Sequence, residues 1–187
     1  MTEASSAGSM SLSSRKRENS RRHDVGVNTS MEAHMKVLRV IKAKPNPAGK
    51  DRVGSTTPNR QLAAEWVDFK NVGDEPYPLQ GISLQHIAYQ PRCRDGRWET
   101  IMAFQGTLES GRVVRIHSGS ELSLSEMNPE DVAGADHHLF TNRNYIWNND
   151  CGDTARLWNG LIAVDAASYD PYPMEGKILV RQGDKLI

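Results

Sequence analysis

Short β-branched, apolar segments separated by turn-forming residues run through most of this chain, at the roughly 8–12-residue spacing typical of all-β proteins. Residues 64–70 show the pattern: Val67 and Phe69 fall on one face of a period-two alternation, as in a half-buried strand. Asn159-Gly160 is a strong signal for a two-residue hairpin. No segment alternates strands with long helices, as a parallel sheet requires. The sequence therefore predicts an all-β sandwich of about 8–9 short strands.

The strand pattern can be assigned to defined segments. The predicted strands are residues 37–41, 64–70, 79–89, 98–104, 112–116, 138–141 with 145–147, 155–158, 161–165 and 177–182. Residues 51–61 are predicted to form a loop. The only plausible helical stretch is residues 122–136, where Asn128 can cap a turn that begins at Pro129. We expect an ordered excursion there rather than a full helix.

The composition changes near residue 35. Residues 1–34 are rich in Ser, Arg, Asn and Glu and have few large apolar side chains, so this segment cannot bury enough surface to offset its ordering entropy. We predict a disordered tail over residues 1–34 and one domain over residues 35–183. The formal net charge of +0 argues against a globally basic nucleic-acid binder. A basic cluster in the tail is either solvated or a weak anion-binding arm: Arg15, Lys16, Arg17, Arg21 and Arg22.

Cysteine content and hydropathy bear on the compartment. Cys93 and Cys151 are too few for a disulfide framework, so we predict free thiols, with one bridge as the alternative. No apolar run approaches the ~20 residues that span a bilayer. No apolar region follows the basic cluster, as it would in a signal peptide. The sequence therefore predicts a cytoplasmic protein without a membrane span.

Four segments, taken in order, resemble one known family. The first is an Asn-Pro-x-Gly-x-Asp-type turn, Pro45-Asn-Pro-Ala-Gly-Lys-Asp51, followed by a strand that ends in Asn, Glu65-Trp-Val-Asp-Phe-Lys-Asn71. The second is the strand Leu79-Gln-Gly-Ile-Ser-Leu84, and the third is the hairpin Phe104-Gln-Gly-Thr-Leu-Glu-Ser-Gly-Arg-Val-Val-Arg-Ile116. The fourth and most specific is Trp147-Asn-Asn-Asp-Cys-Gly-Asp-Thr-Ala-Arg-Leu157, which departs from the family pattern by one inserted residue, Cys151.

Together these segments resemble the lamin tail domain, the immunoglobulin-like module of nuclear lamins that also occurs in many prokaryotic proteins. The resemblance covers about residues 37–180 and implies an immunoglobulin-like β-sandwich. Since no coiled coil precedes it, the chain is similar to the small, prokaryotic-type, single-domain members. The motif residues are expected to be structural, filling the core or forming turns: Asn71, Gly81, Gly111, Trp147, Asn148, Asn149, Gly152, Asp153 and Leu157.

Two groups of residues are candidates for a metal or catalytic site. Asn149, Asp150 and Asp153 form an oxygen-rich loop of the kind that Ca²⁺ prefers, but alternating aspartates and a bidentate Glu are absent, which favours a self-capping turn. His86 and His117 lie on predicted strands, and we expect them at the surface or at a sheet edge. No His-Glu-x-x-His or Gly-x-Ser-x-Gly motif occurs. We therefore predict no catalytic residue, no metal site and no cofactor.

Two loops are candidates for binding. The hairpin of residues 92–98 combines a tryptophan with three arginines, a set that can stack on unpaired bases and contact phosphate: Arg92, Arg94, Arg97 and Trp98. A solvated loop is the alternative. Residues 169–173 form a proline-aromatic loop that either caps one end of the fold or presents an aromatic side chain to a partner, and we favour capping.

The functional hypothesis follows from the resemblance and from the lack of catalytic motifs. We expect a non-catalytic interaction module that docks a protein partner through loops or edge strands. The alternative is a nucleic-acid accessory protein that uses the basic tail and the 92–98 hairpin. A metal-dependent hydrolase is a third, less favoured hypothesis, and pairing of two copies through an edge strand is left open.

Overall fold

A computed structural model describes residues 34–187. The chain is mostly β and forms a large curled sheet, so the all-β prediction is confirmed at this level. The predicted disordered tail lies outside the described residues apart from His34, and so does its basic cluster: Arg15, Lys16, Arg17, Arg21 and Arg22. Within the described range, no helix is long and apolar enough to cross a membrane.

Residues 34–187 form twelve strands and three short helical segments. The strands are β1 (Leu38–Lys44), β2 (Trp66–Asn71), β3 (Tyr77–Pro78), β4 (Ser83–Gln90), β5 (Arg94–Ala103), β6 (Thr107–Leu108), β7 (Val113–His117), β8 (His137–Phe140), β9 (Asp153–Trp158), β10 (Ala163–Tyr169), β11 (Leu179–Gln182) and β12 (Lys185–Leu186). The helical segments are α1 (Asn59–Ala63), a 3₁₀ turn (Leu124–Glu126) and α2 (Pro129–Val132).

Ten strands form one sheet in the order β5-β4-β9-β10-β12-β11-β1-β2-β7-β8, and β3 pairs with β6 separately. Neighbouring strands of the large sheet are antiparallel, except for the parallel pairs β7–β8 and β10–β12. The two edges of this sheet are β5 and β8. Because β4 lies between β5 and β9, the β4–β5 hairpin tip and the chain entering β9 meet at one end of the sheet.

One core lies inside the curl and follows the alternation read from the sequence. In β9, the side chains of Asp153, Ala155 and Leu157 are buried, whereas those between them are partly exposed. The rings of Phe69 and Phe104, from opposite arms of the sheet, lie 5.0 Å apart. Such apolar burial is the main driving force for folding.

Buried charges cover the outer side of β2 and β7. The Arg115 guanidinium donates two hydrogen bonds to the Asp68 carboxylate, at 2.7 and 2.8 Å, and lies over the Trp66 ring at 3.6 Å. Asp131, on α2, accepts hydrogen bonds from the Trp66 indole at 2.9 Å and from Lys44 at 2.7 Å. Buried charges are tolerated when they are paired in this way. This network fastens the 122–136 excursion to the sheet.

The local structure differs from the sequence prediction in three places. Residues 59–63 form α1 instead of a loop, because a five-residue helix is too short to show a 3.6-residue period. Residues 145–147 are not a strand, since the N–H groups of Ile146 and Trp147 donate to the Glu65 carboxylate. The predicted excursion does contain α2, with Pro129 at its first turn. Strand β12 lies beyond the predicted domain end at residue 183.

Candidate functional site

A disulfide bond joins Cys93, at the tip of the β4–β5 hairpin, to Cys151, in the loop before β9. The prediction of free thiols is therefore wrong for this structure. No local pattern indicates the pairing, because the two residues are 58 positions apart. Only the strand order β5-β4-β9 brings these two loops together. The inserted Cys151 thus has a role: it ties the most specific motif of the chain to the hairpin.

Asp153 organises the loop before β9. Its carboxylate accepts hydrogen bonds from the backbone N–H groups of Ile87 at 2.8 Å, Asn148 at 3.2 Å and Thr154 at 2.7 Å. It also accepts a hydrogen bond from the Asn148 side-chain amide at 2.8 Å and lies 3.1 Å from the His86 imidazole. Because both oxygens are occupied by donors of the protein, Asp153 serves as a turn cap. This geometry matches the self-capping interpretation of the loop.

Glu65 is a second buried carboxylate at this end of the sheet. It accepts hydrogen bonds from the Ser118 hydroxyl and from the backbone N–H groups of Ile146 at 2.9 Å and Trp147 at 3.2 Å. Burial raises the pKa of Glu65 to about 8, and the donated hydrogen bonds oppose that shift. The Glu65 side chain thus accepts the hydrogen bonds that a neighbouring strand would otherwise accept from residues 146–147.

Gly152 makes the sharp turn between Cys151 and Asp153. Its φ is +67°, a left-handed conformation that glycine adopts without a side-chain clash. A Cβ atom at this position would lie 2.5 Å from the carbonyl oxygen of Tyr169. The turn therefore requires glycine for both its conformation and its close backbone packing.

The other motif residues lie toward the opposite end of the sheet or in the core. Asn71 donates to the carbonyl groups of Leu108 at 2.9 Å and of Glu75 at 2.7 Å, which holds the turn after β2. Gly81 and Gly111 have φ values of +81° and +76°, as their turns require. Leu157 is fully buried in the core. These residues therefore hold turns or fill the core.

A cavity of about 780 Å³ opens between the hairpin tip and the 147–152 loop, beside the disulfide. It mixes aromatic rings with polar side chains, as ligand sites generally do. Besides the bridged cysteines, the side chains with most to offer a ligand are Tyr89, Arg92, Trp147, Asn149, Asp150 and Tyr172. Arg92 and Asp150 carry opposite charges, so the lining is neutral overall.

Two features of the cavity are costly for the fold. The Oδ1 atom of Asn149 is buried without a hydrogen-bond partner among the described residues, which costs about 1–3 kcal/mol. Arg92, Cys93 and Tyr172 all have left-handed backbones, with φ values of 66°, 57° and 60°. Strained non-glycine residues cluster at binding and active sites. Asn149 was expected to be structural, and its side chain is the motif element that the fold leaves unpaired.

The predicted nucleic-acid residues of the hairpin do not share one surface. Arg92 lies at the tip beside the disulfide, and Arg94 begins β5. Arg97 and Trp98 are adjacent on β5, and adjacent strand residues point to opposite faces of a sheet. The hairpin itself is confirmed, but its three arginines and its tryptophan are divided between the tip and two faces.

Trp98 belongs instead to a stack on the outer face of the sheet. The Arg156 guanidinium lies 3.5 Å from the centroid of the Trp98 ring and 4.5 Å from that of Trp158. Its Nε atom donates to Gln85 at 3.0 Å, and Trp98 remains 43% exposed. Sequence reasoning missed Arg156 and Trp158, although the alternation of β9 places both on its outer face.

The predictions for histidine and for the cation loop can also be compared with the structure. His86 and His117 are buried on the internal strands β4 and β7, not at the surface or at a sheet edge as expected. His86 packs beside Asp153, and His117 lies 2.5 Å from the Ala63 carbonyl oxygen. Burial lowers the pKa of His117 to about 4. In the predicted cation loop, Asp150 is exposed whereas Asp153 is buried. Within residues 34–187, no group of three or more His, Cys, Asp or Glu side chains is arranged to hold a metal ion.

Comparison with known proteins adds no relative. No protein-family model matches the chain, and no curated protein matches its sequence. The likeness to the lamin tail domain therefore rests on the four segments quoted above.

Proposed function

We propose that the chain is a non-catalytic interaction module, an immunoglobulin-like β-sandwich of the lamin-tail type, that docks a protein partner through its disulfide-bridged end. The observation that carries this proposal is the cavity beside Cys93–Cys151, with its unpaired Asn149 acceptor and its exposed Tyr172 ring. Loops held by a rigid scaffold are where proteins commonly place binding residues. Here the bridge supplies part of that rigidity.

The ionisable and hydroxyl side chains at this end are already hydrogen-bonded within the protein, which supports a binding role rather than a catalytic one. Glu65 and Asp153 are occupied by donors of the protein itself, and His86 packs against Asp153. Ser118 donates its hydroxyl to Glu65. A general base or a nucleophile has to reach a substrate, whereas these groups hold the loops in place.

The bridge also bears on where the module works. Persistent disulfides are typical of oxidising compartments and rare in the reducing cytoplasm. We therefore favour an oxidising compartment over the cytoplasmic location predicted from the sequence. Thiol counting under denaturing conditions tests this choice: protein isolated from its native compartment should show no free thiol, and two free thiols would favour the cytoplasm.

Site-specific photo-cross-linking tests the docking proposal. A photoreactive phenylalanine analogue replaces Tyr172, which is 77% exposed, in the cells that produce the protein. The matched control carries the same analogue at Leu161, which is 84% exposed on the β9–β10 hairpin at the opposite end. We expect the analogue at position 172 to cross-link one protein in a saturable manner, and unlabelled wild type to compete with this cross-link. The analogue at position 161 should not cross-link that protein. Equal labelling from both positions, or none, would contradict the proposal.

A second candidate function is nucleic-acid binding, favoured by the Trp98–Arg156–Trp158 stack. Aromatic and guanidinium planes on an exposed sheet face can stack with unpaired bases at about 1–3 kcal/mol per base. Fluorescence anisotropy with single-stranded oligonucleotides at two salt concentrations tests it. Binding that weakens with salt and is lost in Trp98→Ala would support this function, whereas binding indifferent to Trp98 would exclude the stack. Removing residues 1–34 separates any contribution of the tail.

A further inference from the structure

The cavity at the bridged end calls for a ligand of particular chemistry. Asn149 supplies an acceptor that no donor of residues 34–187 satisfies. Because Oδ1 is shielded from solvent, the amide has to turn toward the cavity for a ligand to reach it, and no hydrogen bond at Oδ1 from residues 34–187 opposes that turn. A ligand that donates there relieves the cost of the buried oxygen. Arg92 offers a planar set of N–H donors, and Asp150 offers acceptor oxygens. The ligand therefore has to carry both donors and acceptors.

The rest of the lining narrows the class of ligand. Because Arg92 and Asp150 balance one another, neither a strongly anionic nor a strongly cationic ligand is favoured. The rings of Tyr89 and Tyr172 call for an apolar face on the ligand. At about 780 Å³, the cavity falls within the usual range of small-molecule sites.

A neutral ligand with a hydroxyl-bearing edge and an apolar C–H face is a sugar ring. Adjacent hydroxyl groups act as donor and acceptor together, which suits an amide, a guanidinium or a carboxylate. A peptide in extended form fits less well, because its backbone needs the free edge of a strand, and this cavity is lined mainly by loops.

We propose that this cavity binds a saccharide ring, with Asn149 bonding its hydroxyls and Tyr172 packing on its apolar face. The inference rests on the proposed docking function, which it deepens: the ring belongs to a glycan displayed by the partner. An oxidising compartment, as the disulfide indicates, is also one where glycosylated surfaces occur. A free sugar has the same chemistry, and the test separates the two sources.

Binding is measured by two-dimensional NMR on the full chain, titrated with methyl glycosides of hexoses and N-acetylhexosamines. We expect shifts at residues 149 and 172 and about a fivefold rise in Kd for Asn149→Ala, since a lost hydrogen bond is worth roughly 1 kcal/mol. Tyr172→Asn also weakens binding, and Asn tolerates the left-handed backbone at this position. Leu161→Asn, at the opposite end, is the control that leaves Kd unchanged. Because Asn149 Oδ1 has no partner among residues 34–187, Asn149→Ala should not lower the unfolding midpoint below that of the wild type.

The outcomes distinguish this inference from the docking function. No shift with any saccharide, or equal Kd values for wild type and Asn149→Ala, would overturn the inference. A protein that cross-links at position 172 and still does so after enzymatic deglycosylation would also overturn it, while leaving the docking function intact. A cross-link that is lost on deglycosylation and competed by the free methyl glycoside supports both the saccharide inference and the docking function. Saccharide binding at Asn149 without any cross-linked protein supports the inference with a free sugar as the source, and counts against docking.

Discussion

Removing the Cys93–Cys151 bridge should lower the free energy of unfolding by about 2–4 kcal/mol. The loop it closes spans 58 residues, and the chain-entropy model gives about 4 kcal/mol for a loop of that length at 25 °C. Up to about 2 kcal/mol of this is returned, because Cys93 can leave a left-handed conformation that costs roughly 1–2 kcal/mol. For a domain of this size, the expected fall in Tm is roughly 4–16 °C.

The assay is urea denaturation of the Cys93→Ser, Cys151→Ser double variant beside wild type, each with and without reductant. Reduction should shift the wild-type midpoint to that of the double variant and leave the variant unchanged. The dependence on denaturant should be steeper for the unbridged chain, since its unfolded state exposes more surface.

Two results would refute the reasoning. A loss below about 1 kcal/mol would mean that the bridge does not constrain the unfolded chain as the loop length requires. An identical response of wild type and double variant to reductant would mean that the bridge does not form. Thiol counting on the same wild-type sample separates these two explanations, because only the second predicts two free thiols.

Three further predictions concern the buried groups at this end. Raising the pH from about 5 to 8 should destabilise the fold, because burial raises the pKa of Glu65 from 4.5 to about 8. The stability contributed by the protonated side chain is fully present below pH 4.5, falls as the pH rises and is lost once the pH passes through about 8. Glu65→Gln should flatten this part of a urea-midpoint profile. Asp153→Ala should cost about 3 kcal/mol by calorimetry, since it leaves three part-buried N–H groups without an acceptor. A cost near zero would contradict its capping role. Gly152→Ala should cost more than Gly160→Ala, because both backbones are left-handed but only the Gly152 Cβ would meet the Tyr169 carbonyl; equal thermal midpoints would argue against that packing.

Much of the architecture could be predicted from the sequence, because strand formation depends on the local alternation of apolar and polar side chains. Val67 and Phe69 were placed on one face from their spacing, and both are buried in the core. The helical turn at Pro129 was also predicted correctly, since local cap chemistry determines it. A hairpin before Trp98 was predicted too, but β5 begins at Arg94, inside the segment predicted as the hairpin loop.

The errors at His117 and at residues 145–147 share a cause, which is that both depend on contacts distant in sequence. His117 was expected at the surface, but β7 has the excursion of residues 122–136 packed beside it and is buried throughout. Residues 145–147 have the composition of a strand, yet Glu65, about eighty positions earlier, takes their N–H groups. No local pattern reports on such partners.

The sequence alone determined that this chain is built of strands and where most of its turns fall, because side-chain alternation and turn chemistry act over a few residues. Only the tertiary structure decided how the candidate site is composed. The strand order β5-β4-β9 brings Cys93 to Cys151 and opens the cavity beside Asn149. It also sets Trp98 against Arg156. Strand order follows from the burial of the whole core, a sum over distant contacts that no short segment encodes.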